Sequence, residues 1–149
     1  MRDVSDSLSG QAGLLVELLT AAMEPHIQRA GLTLSLFELL SAIRAAGGKA
    51  TQADVARRLG ITPPSLSEAV HLAGRKGLIE QVPDANDKRL KRLRLTPSGR
   101  KAVHAVVAAI EEVEAAAFSA VEPHRIEESI ALLREINRNF ARQLSSPNL

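Results

Sequence analysis

The chain has 149 residues, a formal net charge of +2, 45% hydrophobic and 24% charged residues, and no cysteine. That length suits one domain with room for an extension, and the composition is that of an ordinary globular protein. Without cysteine, disulfides, thiolate catalysis and thiol redox sensing are excluded. With three Phe and neither Trp nor Tyr, the core must be aliphatic.

The first predicted element is a helix over about 8–29, where Leu15, Leu18, Leu19, Ala22 and Met23 recur near helical spacing and Gly31 supplies a stop. LSLFELLSAIRAAGG reads as a second helix, closed by Gly47 and Gly48. Thr51 then caps a short helix, TQADVARRLG, with Asp54 placed to favour its positive end and Gly60 to stop it. Thr62 caps the next helix, Pro63 fits its first turn, and it runs through SLSEAVHLAGRK to Gly77. Gly74 weakens that helix, which is expected to end early or bend.

LIEQV is a predicted strand. KRLRLT is a second, with Leu93 and Leu95 on one face and Arg92 and Arg94 on the other. The two strands and the loop between them make a hairpin. A long helix opens at Thr96-Pro97 with a stripe of Val103, Val106, Ile110, Val113 and Ala117. Pro123 precedes a last helix striped by Ile126, Ile130, Leu133, Ile136, Phe140 and Leu144. Two striped helices of this length in so small a chain call for a partner, and a homodimer held by the first helix and the last two is expected.

Charge is segregated along the chain. From Arg44 to Lys101 thirteen basic residues face five acidic ones, a net of +8, and the flanks carry −6. A basic middle between acidic ends points to an anionic partner for the middle alone. Ala56, Gly60 and Leu66 have helix-turn-helix spacing: a small residue at the crossing, a left-handed turn and an apolar seat for the second helix. By themselves they equally suit a plain helical hairpin.

The segment from Gln52 to Arg100 resembles the winged helix-turn-helix of the MarR family of bacterial transcriptional regulators. The likeness rests on the helix-turn-helix spacing, on KGLIE leading into the first wing strand, and on PDANDKR followed by LTPSGR. Asp87 and Arg89 stand where the family has its wing Asp-x-Arg. The resemblance implies a mainly α fold: a winged helix-turn-helix lobe over about 32–100, with long helices over about 5–30 and 97–145 as a dimerisation base. The whole of 1–149 is then a single MarR-like domain.

It implies a regulator that binds double-stranded DNA, a ligand-responsive repressor on a pseudo-palindromic operator. Arg89 becomes the minor-groove probe and Asp87 its orienting partner, while Lys88, Lys91 and Arg92 serve phosphates. On the recognition helix Thr62, Pro64, Ser65, Ser67, Glu68 and His71 are the candidates to face DNA. The family also implies a small-molecule effector, an aromatic acid or phenol, held between the dimer helices and the DNA lobe. Phe37 is placed for such a pocket or for the core, and no residue identifies the ligand.

Other functions find less in the sequence. The four histidines (His26, His71, His104, His124) are scattered, and Ser67 with His71 forms a conceivable pair but without a nucleophile elbow, P-loop or HExxH motif. No enzyme activity, cofactor or metal site is expected, since His104 with Glu111, or Glu112 and Glu114 with His124, form no tight cluster. Asp3, Asp6 and Glu17 argue against a signal peptide, and no apolar run reaches membrane-spanning length, so a cytoplasmic protein without membrane contact is expected. The alternative is a helical protein–protein adaptor, or a nonspecific architectural DNA-binding protein, with the same fold.

Overall fold

A computed structural model describes residues 6–144. Its elements in chain order are α1 (Leu8–Arg29), α2 (Leu34–Ala45), α3 (Gln52–Leu59), α4 (Pro63–Arg75), β1 (Ile79–Pro83), β2 (Lys91–Leu95), α5 (Pro97–Phe118) and α6 (Pro123–Leu144). The fold is mainly helical with one two-stranded antiparallel sheet, as a winged helix requires. The chain divides into two compact units, residues 1–111 and 112–149. The expected outer limits of the dimerisation helices, positions 5 and 145, lie outside the described residues.

The first unit is built around α2. Leu36, Phe37, Leu39, Leu40, Ala42 and Ile43 are all buried, so α2 is nearly apolar all round and acts as the pillar of the lobe. Ile27 of α1, Val55 and Ala56 of α3, and Leu66, Val70 and Ala73 of α4 complete the helical core. Ile79, Leu93 and Leu95 close it from the sheet, and Val103 and Val106 from α5. Phe37 is therefore a core residue.

The strands pair from Ile79 opposite Leu95 to Pro83 opposite Lys91. A bridge from Thr51 to Arg92, with Leu93 N–H donating to Ala50 O at 2.9 Å, ties the loop before α3 to the outer side of the wing. α2 stops at Ala45, short of the glycine pair, where Ala46 N–H donates to Ala42 O and Gly47 N–H to Arg44 O. Both strands sit within one residue of their expected limits. Leu78 is left out of β1, and its carbonyl accepts from Thr96 N–H instead.

Among the described residues of the second unit, α6 has none buried. Of its stripe, Ile126 and Ile136 are half-buried and Ile130, Leu133, Phe140 and Leu144 are exposed. The N-terminal half of α1, in the first unit, is similar: Leu8, Leu14, Leu15, Val16 and Leu18 are exposed, and only Ile27 of the whole helix is buried.

Candidate nucleic-acid interface

The helix-turn-helix is fixed by its caps. Thr51 Oγ1 accepts from Asp54 N–H, and the Asp54 carboxylate accepts from both Thr51 N–H (3.0 Å) and Thr51 Oγ1–H (2.7 Å). This reciprocal capping satisfies donors that a helix start otherwise leaves free. The Thr51 hydroxyl, then its N–H, hold the Asp54 carboxyl below its ordinary value. α3 ends at Gly60, whose φ of 65° is the left-handed conformation a side chain resists. Ile61 N–H then donates to Ala56 O, and the chain turns directly into Thr62, the cap of α4.

α4 buries Leu66, Val70 and Ala73 and so presents Pro64, Ser65, Ser67, Glu68 and His71 to solvent, together with the capping Thr62. Ser65 Oγ lies 2.9 Å from Thr62 Oγ1, so these two hydroxyls already share a hydrogen bond. Gly74 does not end the helix early: α4 continues to Arg75 and is capped at Lys76, next to the expected stop at Gly77. Ala73, which is fully buried, supplies the core contact that carries the helix through this point. Leu72 is exposed beside His71, an apolar side chain on a polar face.

The wing loop is organised by one carboxylate. Asp84 Oδ1 accepts from Asn86 N–H at 2.9 Å and Asp87 N–H at 3.0 Å, and Oδ2 accepts from Arg92 Nε at 2.5 Å. Arg92 Nη1 in turn donates to Lys49 O, in the loop before α3. The Arg92 hydrogen bond, then the two amides, push the Asp84 carboxyl below its usual value. Asp87 Oδ1 accepts from Arg89 N–H at 2.9 Å, so it orients the Arg89 backbone.

The expected residues thus differ in their freedom. Lys88, Arg89 and Lys91 are exposed, and among the described residues their side chains make no hydrogen bond or ion pair. Arg92 is about one-quarter exposed and already engaged, which makes it a strut between wing and lobe. Asp84 is the residue that sequence reasoning missed. Its signal was present: the alternation that puts Arg92 on the outer face puts Asp84 there too, one diagonal step away.

LTPSG is the second missed device. Thr96 Oγ1 donates to Gly77 O at 2.6 Å and accepts from Gly99 N–H at 3.1 Å. It joins the end of β2 and the start of α5 to the turn before β1. The hairpin is thereby fixed at its base by Thr96 and near its tip by Asp84 and Arg92. Among the described residues no three His, Asp or Glu side chains are grouped to hold a metal ion, and no helix is long and apolar enough to cross a membrane.

The geometry has known counterparts. The model of the MarR family matches residues 30–90. CouR from Rhodococcus jostii RHA1, solved with p-coumaroyl-CoA, is 18% identical with a TM-score of 0.78, over 91% of this chain and 95% of that one. MepR from S. aureus, solved with DNA, is 24% identical with a TM-score of 0.76, over 93% and 99%. MarR from E. coli, in its apo form, is 18% identical with a TM-score of 0.70, over 87% and 96%.

Proposed function

We propose that this chain, whose residues 30–90 are a MarR-family winged helix, is a sequence-specific DNA-binding regulator of transcription and not an enzyme. The observation that carries the reading is the wing. Asp84 and Arg92 hold the hairpin while Lys88, Arg89 and Lys91 are left exposed and unpaired at its end. A loop braced by one arginine and tipped by another fits insertion into a narrow minor groove, whose negative potential attracts arginine. Lys88 and Lys91 then meet flanking phosphates.

The exposed face of α4, with Thr62, Pro64, Ser65, Ser67, Glu68 and His71, enters the major groove. Among the described residues Ser67, Glu68 and His71 have no intramolecular side-chain bond to give up, whereas Ser65 must exchange its bond with Thr62. Asp87 fixes the backbone from which Arg89 projects, and Arg92 contributes through the strut to Lys49 more than through phosphate.

The regulator acts as a homodimer on a pseudo-palindromic operator, with residues of about 32–100 as the DNA lobe and those of about 5–30 and 97–145 as the dimer base. Ligand-responsive repression in the cytoplasm completes the reading. The p-coumaroyl-CoA bound to CouR supports an effector with an aromatic acid portion.

The test is a titration of the protein into a duplex from its own upstream intergenic region, beside a scrambled duplex, at several salt concentrations. Binding that favours the native duplex and falls by orders of magnitude between about 50 and 200 mM salt is expected. Equal affinity for both duplexes removes sequence specificity, and no binding to either removes the function.

A further inference from the structure

A second group of arginines lies away from α4 and the wing tip. Arg44 near the end of α2, Arg94 on β2 and Arg100 in the first turns of α5 line one cleft of about 400 Å³, with Glu80 and, beneath them, the buried Ile43 and Leu95. The fourth wall is the turn at Gly47 and Gly48, whose φ values of 59° and 76° are left-handed. A Cβ on Gly48 would lie 3.5 Å from Arg94 Cγ, so the arginine stem rests directly on bare backbone.

The charges in this cleft are unbalanced. Arg94 and Glu80 are direct cross-strand partners, yet they form no ion pair. Among the described residues neither the Arg44 nor the Arg94 guanidinium has a hydrogen-bonding partner, and Gly48 N–H donates to nothing. Arg100 spends one N–H on Leu95 O at 2.7 Å, which fixes its guanidinium at the rim. Three guanidiniums against one carboxylate leave an excess of two positive charges in a concave site. A concave wall of low dielectric focuses that potential. Guanidinium forks bind planar or tetrahedral oxyanions in bidentate fashion, and the volume is in the range of small-ligand sites.

We propose that this cleft binds a small oxyanion, the phosphate or carboxylate group of a low-molecular-weight ligand, held chiefly by Arg94 and Arg44. It is separate from the DNA-facing residues, so it stands or falls independently of the DNA reading.

The test uses the intact protein and inorganic phosphate at constant ionic strength, followed by nuclear magnetic resonance at the backbone amides and arginine Nε–H groups. Saturable shifts are expected at Gly47, Gly48, Arg94 and Arg100. Arg94→Gln should weaken the binding about tenfold or more. Arg44→Gln, at an exposed position near a helix end, should do the same and serves if the first variant folds poorly. Shifts that never saturate, or that both variants leave unchanged, overturn the proposal. So does saturable binding centred on Lys88 and Arg89. If phosphate fails to saturate the cleft but Arg94→Gln flattens the salt dependence of duplex binding, the arginines serve the DNA backbone and the small-ligand site does not exist.

Discussion

Gly99 has no room for a side chain. A Cβ there would lie 2.0 Å from Leu78 O and 2.9 Å from its carbonyl carbon. Both groups are backbone, so relief requires α5 to move away from the turn that Thr96 bonds. Gly99→Ala should cost about 2–4 kcal/mol, read from the midpoint of urea denaturation. Gly74→Ala should have the opposite sign. Nothing lies within 4 Å of a Cβ at Gly74, its backbone is helical, and the change should add up to about 1 kcal/mol. The sequence marks both glycines, one as a weak point in a helix and one as part of a motif. Only the position of Leu78 O separates the tolerant site from the intolerant one, and no local pattern encodes that approach. Arg89→Ala belongs at this scale too. Its side chain is exposed and, among the described residues, makes no hydrogen bond or ion pair, so DNA binding should weaken by about 1–3 kcal/mol while the denaturation curve is unchanged. An unaltered affinity would remove Arg89 from the interface.

At the scale of elements, the wing is a hairpin braced near its tip by the Asp84–Arg92 ion pair. Asp84→Asn removes the charge that Arg92 faces and weakens the acceptor for Asn86 and Asp87 N–H. Those two amides should exchange with solvent faster, and DNA affinity should fall although Arg89 is still present. The acid dependence has a definite sign. The Asp84 carboxyl is depressed from 3.8, so the ion pair is complete above that pH and is lost as pH falls through the lower, folded-state value. Protection of the wing amides, measured against their intrinsic exchange rates, should therefore begin to fall on the acid side of 3.8, and in Asp84→Asn that added step should vanish. Helix ends were legible because caps are local: Thr and Gly at fixed offsets announced them, and Thr51, Gly60 and Thr62 are where they were expected. Asp84 and Arg92 were not paired in advance because they are eight residues apart across a loop. A one-residue change in strand register puts them on opposite faces, and that register is set by the core positions of Ile79, Leu93 and Leu95.

For the whole molecule, the homodimer proposed above rests on the exposed apolar residues of α1 and α6. A helix of 22 residues with no buried side chain has little to hold it in water, since tertiary burial supplies most helical stability. The stripe of Ile130, Leu133, Phe140 and Leu144 keeps to helical spacing, the form of a face that packs on another helix. The sequence showed the stripe but not whether it covers the chain's own core or a partner. Among the described residues the buried set is drawn from α2 to the start of α5, with Ile27 alone from α1. A two-fold dimer places the same stripe on both sides of the interface, so one substitution strikes it twice. Replacing Leu133 and Phe140 together with Glu should convert a dimer to a monomer by sedimentation velocity. The denaturation signature of the lobe should survive, because its buried core does not include these two residues. DNA affinity should collapse to that of one half-site, whose phosphate contacts are about half as many, and the slope of log affinity against log salt should halve with it. A native chain that sediments as a monomer would remove the dimer, and a double variant that remains dimeric would place the interface on other residues.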